Sequence, residues 1–143
     1  MKYVLLVSHG VFAKGLHSVL DMMAGKDRND VLSTSLIDGM SVETFSGKVE
    51  EVVKDITDQD EIIILADLVG GSPLTTTLNV LDQKGLLKNV TAFGGANLSL
   101  ALNAVLLKDT LSKDELKKAI IDEAKNSIEE LELNKSNEED DDI

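Results

Sequence analysis

Tyr3-Val4-Leu5-Leu6-Val7-Ser8-His9-Gly10 decides how the rest of this chain is read. A run this rich in Val and Leu, closed by a small residue and a glycine, predicts a buried first strand over Tyr3 to Val7 that opens into a loop. The imidazole of His9 then stands at the carboxyl end of that strand. In open α/β sheets ligands and chemistry gather at that edge, so His9 is a candidate functional residue before any motif is named.

Working outward, apolar runs alternate with helical patterns. Leu16, Val19, Leu20 and Met23 recur at helical spacing and Gly25 supplies a stop. Val31 to Ile37 predicts a second strand, Asp38-Gly39 a turn, and Val42 to Ile56 a helix whose inward stripe is Val42, Phe45, Val49, Val52, Val53 and Ile56. Glu61 to Ala66 predicts strand three, Leu74 to Lys84 the next helix, Asn89 to Phe93 strand four and Leu98 to Leu107 another helix. Ser112 to Glu115 has capping-box spacing and starts a last helix toward Asn126. Repeated strand and helix imply an α/β fold: a three-layer, doubly wound sheet of four parallel strands with helices on both faces. The expected order is 2-1-3-4, which puts a switch point between strands one and three.

Composition narrows the function. With 143 residues and 43% apolar content, the chain is long enough for one stable domain. There is no cysteine, which excludes thiolate nucleophiles and Cys-ligated metals and fits a reducing, cytoplasmic setting. No apolar stretch approaches a membrane span, and Met1-Lys2 leads straight into a strand rather than a leader. A net charge of -12 argues against a nucleic-acid partner. Residues 134–143 carry -4 of it as a solvated, disordered acidic tail, and the domain over 1–133 keeps -8, which suits a basic protein partner. His9 and His17 are the only histidines, and His17 is expected at the surface on the flank of the first helix, so no metal site is expected.

Asp67 follows strand three and so meets His9 across the switch point, since neighbouring strands are about 4.8 Å apart. A carboxylate that accepts one ring N–H fixes the tautomer and leaves the other nitrogen as a nucleophile. A plainer reading has His9 closing a loop and Asp67 accepting backbone N–H groups. In Asp67-Leu68-Val69-Gly70-Gly71-Ser72-Pro73 the chain's one proline stands at the first helical position, with Ser72 as the expected N-cap. The glycines allow a close ligand approach and the helix start offers N–H groups to an anion, although the segment also serves as an ordinary tight turn. Val11, Phe12, Leu68 and Val69 border these residues, either as an apolar docking collar or as side chains packed against the helices.

These segments resemble the IIA domain of the mannose family of the phosphoenolpyruvate-dependent sugar phosphotransferase system, in which a His-Gly follows the first strand and Asp-x-x-Gly-Gly-Ser-Pro the third. The resemblance covers roughly residues 1 to 130 and keeps the spacing between the two motifs. It implies that His9 takes a phosphoryl group from the histidine-containing phosphocarrier protein and passes it to a IIB component during sugar uptake, with the membrane components IIC and IID engaged indirectly. It implies Asp67 as the hydrogen-bond partner of His9, Gly71 and Ser72 as phosphoryl ligands and no cofactor. Gly94-Gly95-Ala96-Asn97 is similar to the family's Gly and Asn loop, which adds Asn97 as a phosphoryl ligand. It further implies a homodimer with a swapped fifth antiparallel strand near Ile128 to Leu133, although that Glu-rich segment reads by propensity as more helix. The phosphocarrier subunit of dihydroxyacetone kinase shares the fold and the early histidine, but the complete Gly-Gly-Ser-Pro favours sugar transport. A module in which phosphorylated His9 is only a regulatory signal is the other alternative.

Overall fold

The computed structural model describes residues 1–134. Apart from Asn134, the acidic run anticipated over 134–143 lies outside the described residues. The elements are β1 (Lys2–His9), α1 (Phe12–Met23), β2 (Val31–Leu36), α2 (Val42–Val52), β3 (Glu61–Ala66), α3 (Ser72–Gln83), β4 (Val90–Phe93), α4 (Leu98–Leu107) and α5 (Lys113–Asn126), with a 3-10 turn at Leu87–Asn89 before β4. All strand pairs are parallel and the order is β2-β1-β3-β4, as expected.

Strand periodicity sorts the core into two layers. Val4, Leu6, Ile63 and Leu65 face Leu16, Leu20, Leu100, Ala104 and Ile120 of α1, α4 and α5. Leu5, Val7, Ile62 and Ile64 face Phe45, Val49, Val80 and Leu81 of α2 and α3. A central strand buried on both faces has no polar position to spare, and Val4 to Val7 are all at most 1% exposed. Ser112 and Glu115 form the capping box expected at the start of α5.

Two features depart most from the sequence reading, the end of α2 and the chain after α5, which itself ends at Asn126 as expected. α2 stops at Val52, because Val53 caps it and the chain turns through Thr57, whose amide donates to Asp60 Oδ2 at 2.9 Å. Ile56 is still buried, so the apolar stripe outlasts the helix, while Val42 at its start is exposed. α5 ends at Asn126 because Ser127 Oγ donates to the Ala124 carbonyl at 2.8 Å and takes over the last turn. Ile128 to Leu133 then follow as irregular chain, neither helix nor strand, with Ile128, Leu131 and Leu133 exposed. The fifth strand implied by the family is therefore not formed within one chain, and the outer side of β4 carries no further strand among the described residues.

The amino-terminal edge of the sheet holds a buried charge cluster. Lys108, only 1% exposed, reaches Asp30 Oδ2 at 2.7 Å and Asp109 Oδ2 at 3.0 Å. Arg28 donates to both Asp30 oxygens at 2.9 Å. The Arg28 bonds hold the Asp30 carboxyl far below the usual carboxylate range; burial opposes them and Lys108 reinforces them. The cluster joins the end of α4 to the start of β2 and leaves the opposite edge to the functional site.

Candidate functional site

At the carboxyl edge β1 outruns β3. The β1–β3 register ends at Val7 opposite Ala66, whereas β1 stays paired with β2 as far as His9 opposite Leu36. Where the β1–β3 ladder would continue, the side chain of Asp67 takes over. Its Oδ2 accepts the His9 backbone N–H at 3.0 Å and lies 2.9 Å from His9 Nδ1, while Oδ1 accepts the Leu68 N–H at 3.0 Å. The two roles weighed for Asp67, backbone acceptor and imidazole partner, are filled by one carboxylate.

Burial pushes the Asp67 carboxyl up, but the His9 ring and the two backbone amides outweigh it, so its pKa lies below the ordinary value. An ionised carboxylate only accepts, which assigns the ring proton to Nδ1 and leaves Nε2 with its lone pair. His9 is 47% exposed at the side chain, so that lone pair is open to a partner.

Gly71 sits against the ring. A Cβ on it would fall 3.0 Å from His9 Cε1 and 3.3 Å from Nε2, and its backbone, at φ +105° and ψ 165°, is a conformation almost reserved for glycine. Gly71, not Ser72, occupies the N-cap of α3; Ser72 is the first helical residue and Pro73 the second. The glycine conformation turns the chain into the helix, which corrects the expected cap and leaves the Ser72 hydroxyl without a capping bond.

The four bordering apolar residues are not packed away: Val11, Phe12, Leu68 and Val69 are all exposed, Val69 to 76%. On the other side of His9, Leu36, Ile37, Asp38 and Met40 line an open recess of about 290 Å³.

Asn97 does not join this group. Its Oδ1 accepts the Leu100 N–H at 2.8 Å as the N-cap of α4, and its Nδ2 donates to the Ala124 carbonyl at 3.0 Å. The amide oxygen thus caps α4 and the amide nitrogen ties the start of α4 to the end of α5. His17 also departs from expectation: it is partly buried, its Nδ1 2.7 Å from Ser33 Oγ on β2. The sequence reading gave no contact to Gly94, which lies directly beneath Val69; the Gly94-Gly95 doublet was the available signal.

Fold and site define a class, a doubly wound α/β domain with a carboxylate-steered histidine at the switch point. The family model EIIA-man, described as "PTS system fructose IIA component", matches residues 3–121. The chain belongs to this family of phosphotransferase-system IIA components and is a component of sugar phosphotransfer. The fructose-specific EIIA component of Bacillus subtilis (strain 168) is 24% identical over 113 residues, covering 79% of this chain and 75% of the relative. Among solved structures, a phosphotransferase-system EIIA component from Streptococcus agalactiae is 28% identical with a TM-score of 0.75, covering 91% of this chain and 97% of that one. The mannose/sorbose-specific IIA subunit from Enterococcus faecalis, 21% identical, shares the fold at a TM-score of 0.75 over 95% of this chain and 99% of its own.

Proposed function

We propose that the chain accepts a phosphoryl group on Nε2 of His9 from the histidine-containing phosphocarrier protein and passes it to a IIB component during sugar uptake. The observation that carries this reading is the 2.9 Å contact between His9 Nδ1 and Asp67 Oδ2, with the His9 side chain about half exposed. In the transfer, the Nε2 lone pair forms the new N–P bond while the donor's N–P bond breaks and the donor ring recovers its electron pair. The positive charge that develops on the His9 ring is stabilised by the Asp67 carboxylate, which keeps the Nδ1 proton in place. Phosphoryl transfer depends mainly on positioning and charge stabilisation, which suits a site of this economy.

Gly71 leaves room for phosphorus beside Nε2. Ser72, free of capping duty, and the N–H groups of the first turn of α3 face the phosphoryl oxygens. The exposed Val11, Phe12, Leu68 and Val69 form the apolar part of the surface on which both protein partners dock in turn. A phosphohistidine intermediate makes the chain a phosphotransferase component working in the cytoplasm, with residues 1–133 as its IIA domain. Among the described residues no helix is long and apolar enough to cross a membrane.

A homodimer is part of the same proposal. The outer side of β4, which carries no further strand among the described residues, and the exposed Ile128, Leu131 and Leu133 suit strand pairing with a second copy.

The test is incubation with labelled phosphoenolpyruvate and the two general phosphotransferase proteins, beside a His9→Ala control. Acid-labile, base-stable label on His9 that chases onto a IIB component is expected. Label that reaches the chain equally in His9→Ala, or never reaches it under donor excess, overturns the reading.

A further inference from the structure

We infer that Gly94 is a positioning residue for Asp67, acting through the loop that follows β3; its kinetic consequence rests on the phosphocarrier reading. Two backbone hydrogen bonds join the loop after β4 to the chain at the end of β3. The Gly95 N–H donates to the Asp67 carbonyl and the Ala96 N–H to the Ala66 carbonyl, each at 3.0 Å. The backbone on both sides of the Asp67 Cα is thereby tied to the loop between β4 and α4, while the carboxylate is tied to His9 and Leu68.

Gly94 makes this approach possible. A Cβ there would lie 2.8 Å from Val69 Cα and closer still to the Val69 amide nitrogen and Cγ2, well inside the ordinary contact distance of about 3.5 Å. Gly94 is absent from the glycines with positive φ, so space and not backbone conformation demands the glycine. Because the obstruction is mainly backbone, no rotamer change at Val69 relieves it. A methyl group at position 94 drives the two loops apart by roughly 1 Å, on the scale at which misplacement costs about 100-fold in rate.

The displaced segment begins two residues from Asp67. It therefore loosens the Asp67–His9 hydrogen bond and leaves the hydrophobic layers around Val4 to Val7 untouched. Gly47 provides a control, since a Cβ on this exposed α2 residue meets nothing within 4 Å.

The experiment is nitrogen-15 NMR of the His9 ring in unphosphorylated wild type, Gly94→Ala and Gly47→Ala, with the phosphorylation rate measured in parallel. Wild type and Gly47→Ala are expected to hold a single Nδ1–H tautomer. Gly94→Ala should show a mixture with the Nε2–H form, and a rate about 10- to 100-fold lower. A folded Gly94→Ala with the wild-type tautomer overturns the inference, whatever its rate. If wild type takes no phosphoryl group yet Gly94→Ala still shifts the tautomer, the positioning role stands and the carrier function falls. Should Gly94→Ala fail to fold, the double variant Val69→Ala/Gly94→Ala removes the Cγ2 overlap and keeps the backbone one. It should show an intermediate tautomer mixture, and a wild-type ring in it also overturns the inference.

Discussion

Replacing Gly71 by alanine tests the site where conformation and reactive atom meet. The residue's φ of +105° with ψ of 165° costs an L-residue about 1–3 kcal/mol, and the added methyl would press on His9 at 3.0 Å from Cε1 and 3.3 Å from Nε2. Two relaxations are open to the variant. Either the loop keeps its path and the imidazole is pushed off Asp67, or the substituted residue falls back to negative φ and the first turn of α3 moves away from His9. Each displaces a reacting group by an amount on the order of 1 Å, so phosphorylation should slow about 100-fold or more. The same strain should lower the thermal midpoint by about 3–10 °C. Rapid-quench phosphorylation with a saturating phosphorylated donor, alongside thermal unfolding, measures both. A folded Gly71→Ala that phosphorylates within about threefold of wild type would refute the geometry, because phosphorus would then not occupy the space beside Nε2 that this glycine keeps clear.

Asp67→Asn should retain the fold but slow phosphorylation about 10²- to 10⁴-fold, since an amide no longer fixes the Nδ1–H tautomer or stabilises the ring's positive charge; a change below tenfold argues against the steering role. Lys108→Met leaves Asp30 with Arg28 alone, and breaking the buried pair should cost toward the lower end of about 3–5 kcal/mol, read by urea unfolding. Its phosphorylation rate at 25 °C should match wild type, because the cluster lies at the opposite edge of the sheet. Asp30 and Asp67 both have depressed folded pKa values, so their stabilisation is full above the unfolded carboxylate range near pH 4 and is lost as pH falls through the folded values. An acid titration of Asp30→Asn should accordingly show less loss of stability below pH 4 than wild type, and an identical acid limb would contradict the assignment.

The fold was legible because two-sided burial leaves an unmistakable record. β1 and β3 read as unbroken apolar runs, the period of α1 and α2 carried their placement, and the capping box marked the start of α5. Ends were harder where apolar pattern and hydrogen bonding part company: Ile56 is buried beyond the end of α2, and Ser127 closes α5 although propensity favours continuation. The site divided in the same way. His9 and Asp67 follow from strand ends at a switch point, a matter of topology. The work of Asn97 and Gly94 depends on which neighbour lies within a few ångströms, Ala124 and Leu100 for one and Val69 for the other, and spacing along one chain does not encode that.

The geometry also explains why the histidine belongs to β1 and the acid to β3 rather than the reverse. β1 is paired with β2 through Leu36, so His9 is held by strand hydrogen bonds up to its own residue, and the Gly10 N–H donates to the Leu36 carbonyl at 2.9 Å just beyond it. The nucleophile thus stands on backbone held by strand pairing up to its own residue. Asp67 lies past the end of β3, where its own carbonyl and that of Ala66 accept from Gly95 and Ala96 while its carboxylate folds back over the His9 amide and ring. With the residues exchanged, a histidine at position 67 would lose the strand pairing with β2 that holds position 9, and an aspartate at position 9 would start from a paired strand that does not turn its carboxylate back toward the ring. A His9→Asp/Asp67→His swap should therefore fold, because both positions are at least partly exposed, yet accept phosphate at least about 100-fold more slowly than wild type. Wild-type rates from the swapped pair would show that proximity of the two groups suffices and that strand anchoring contributes nothing.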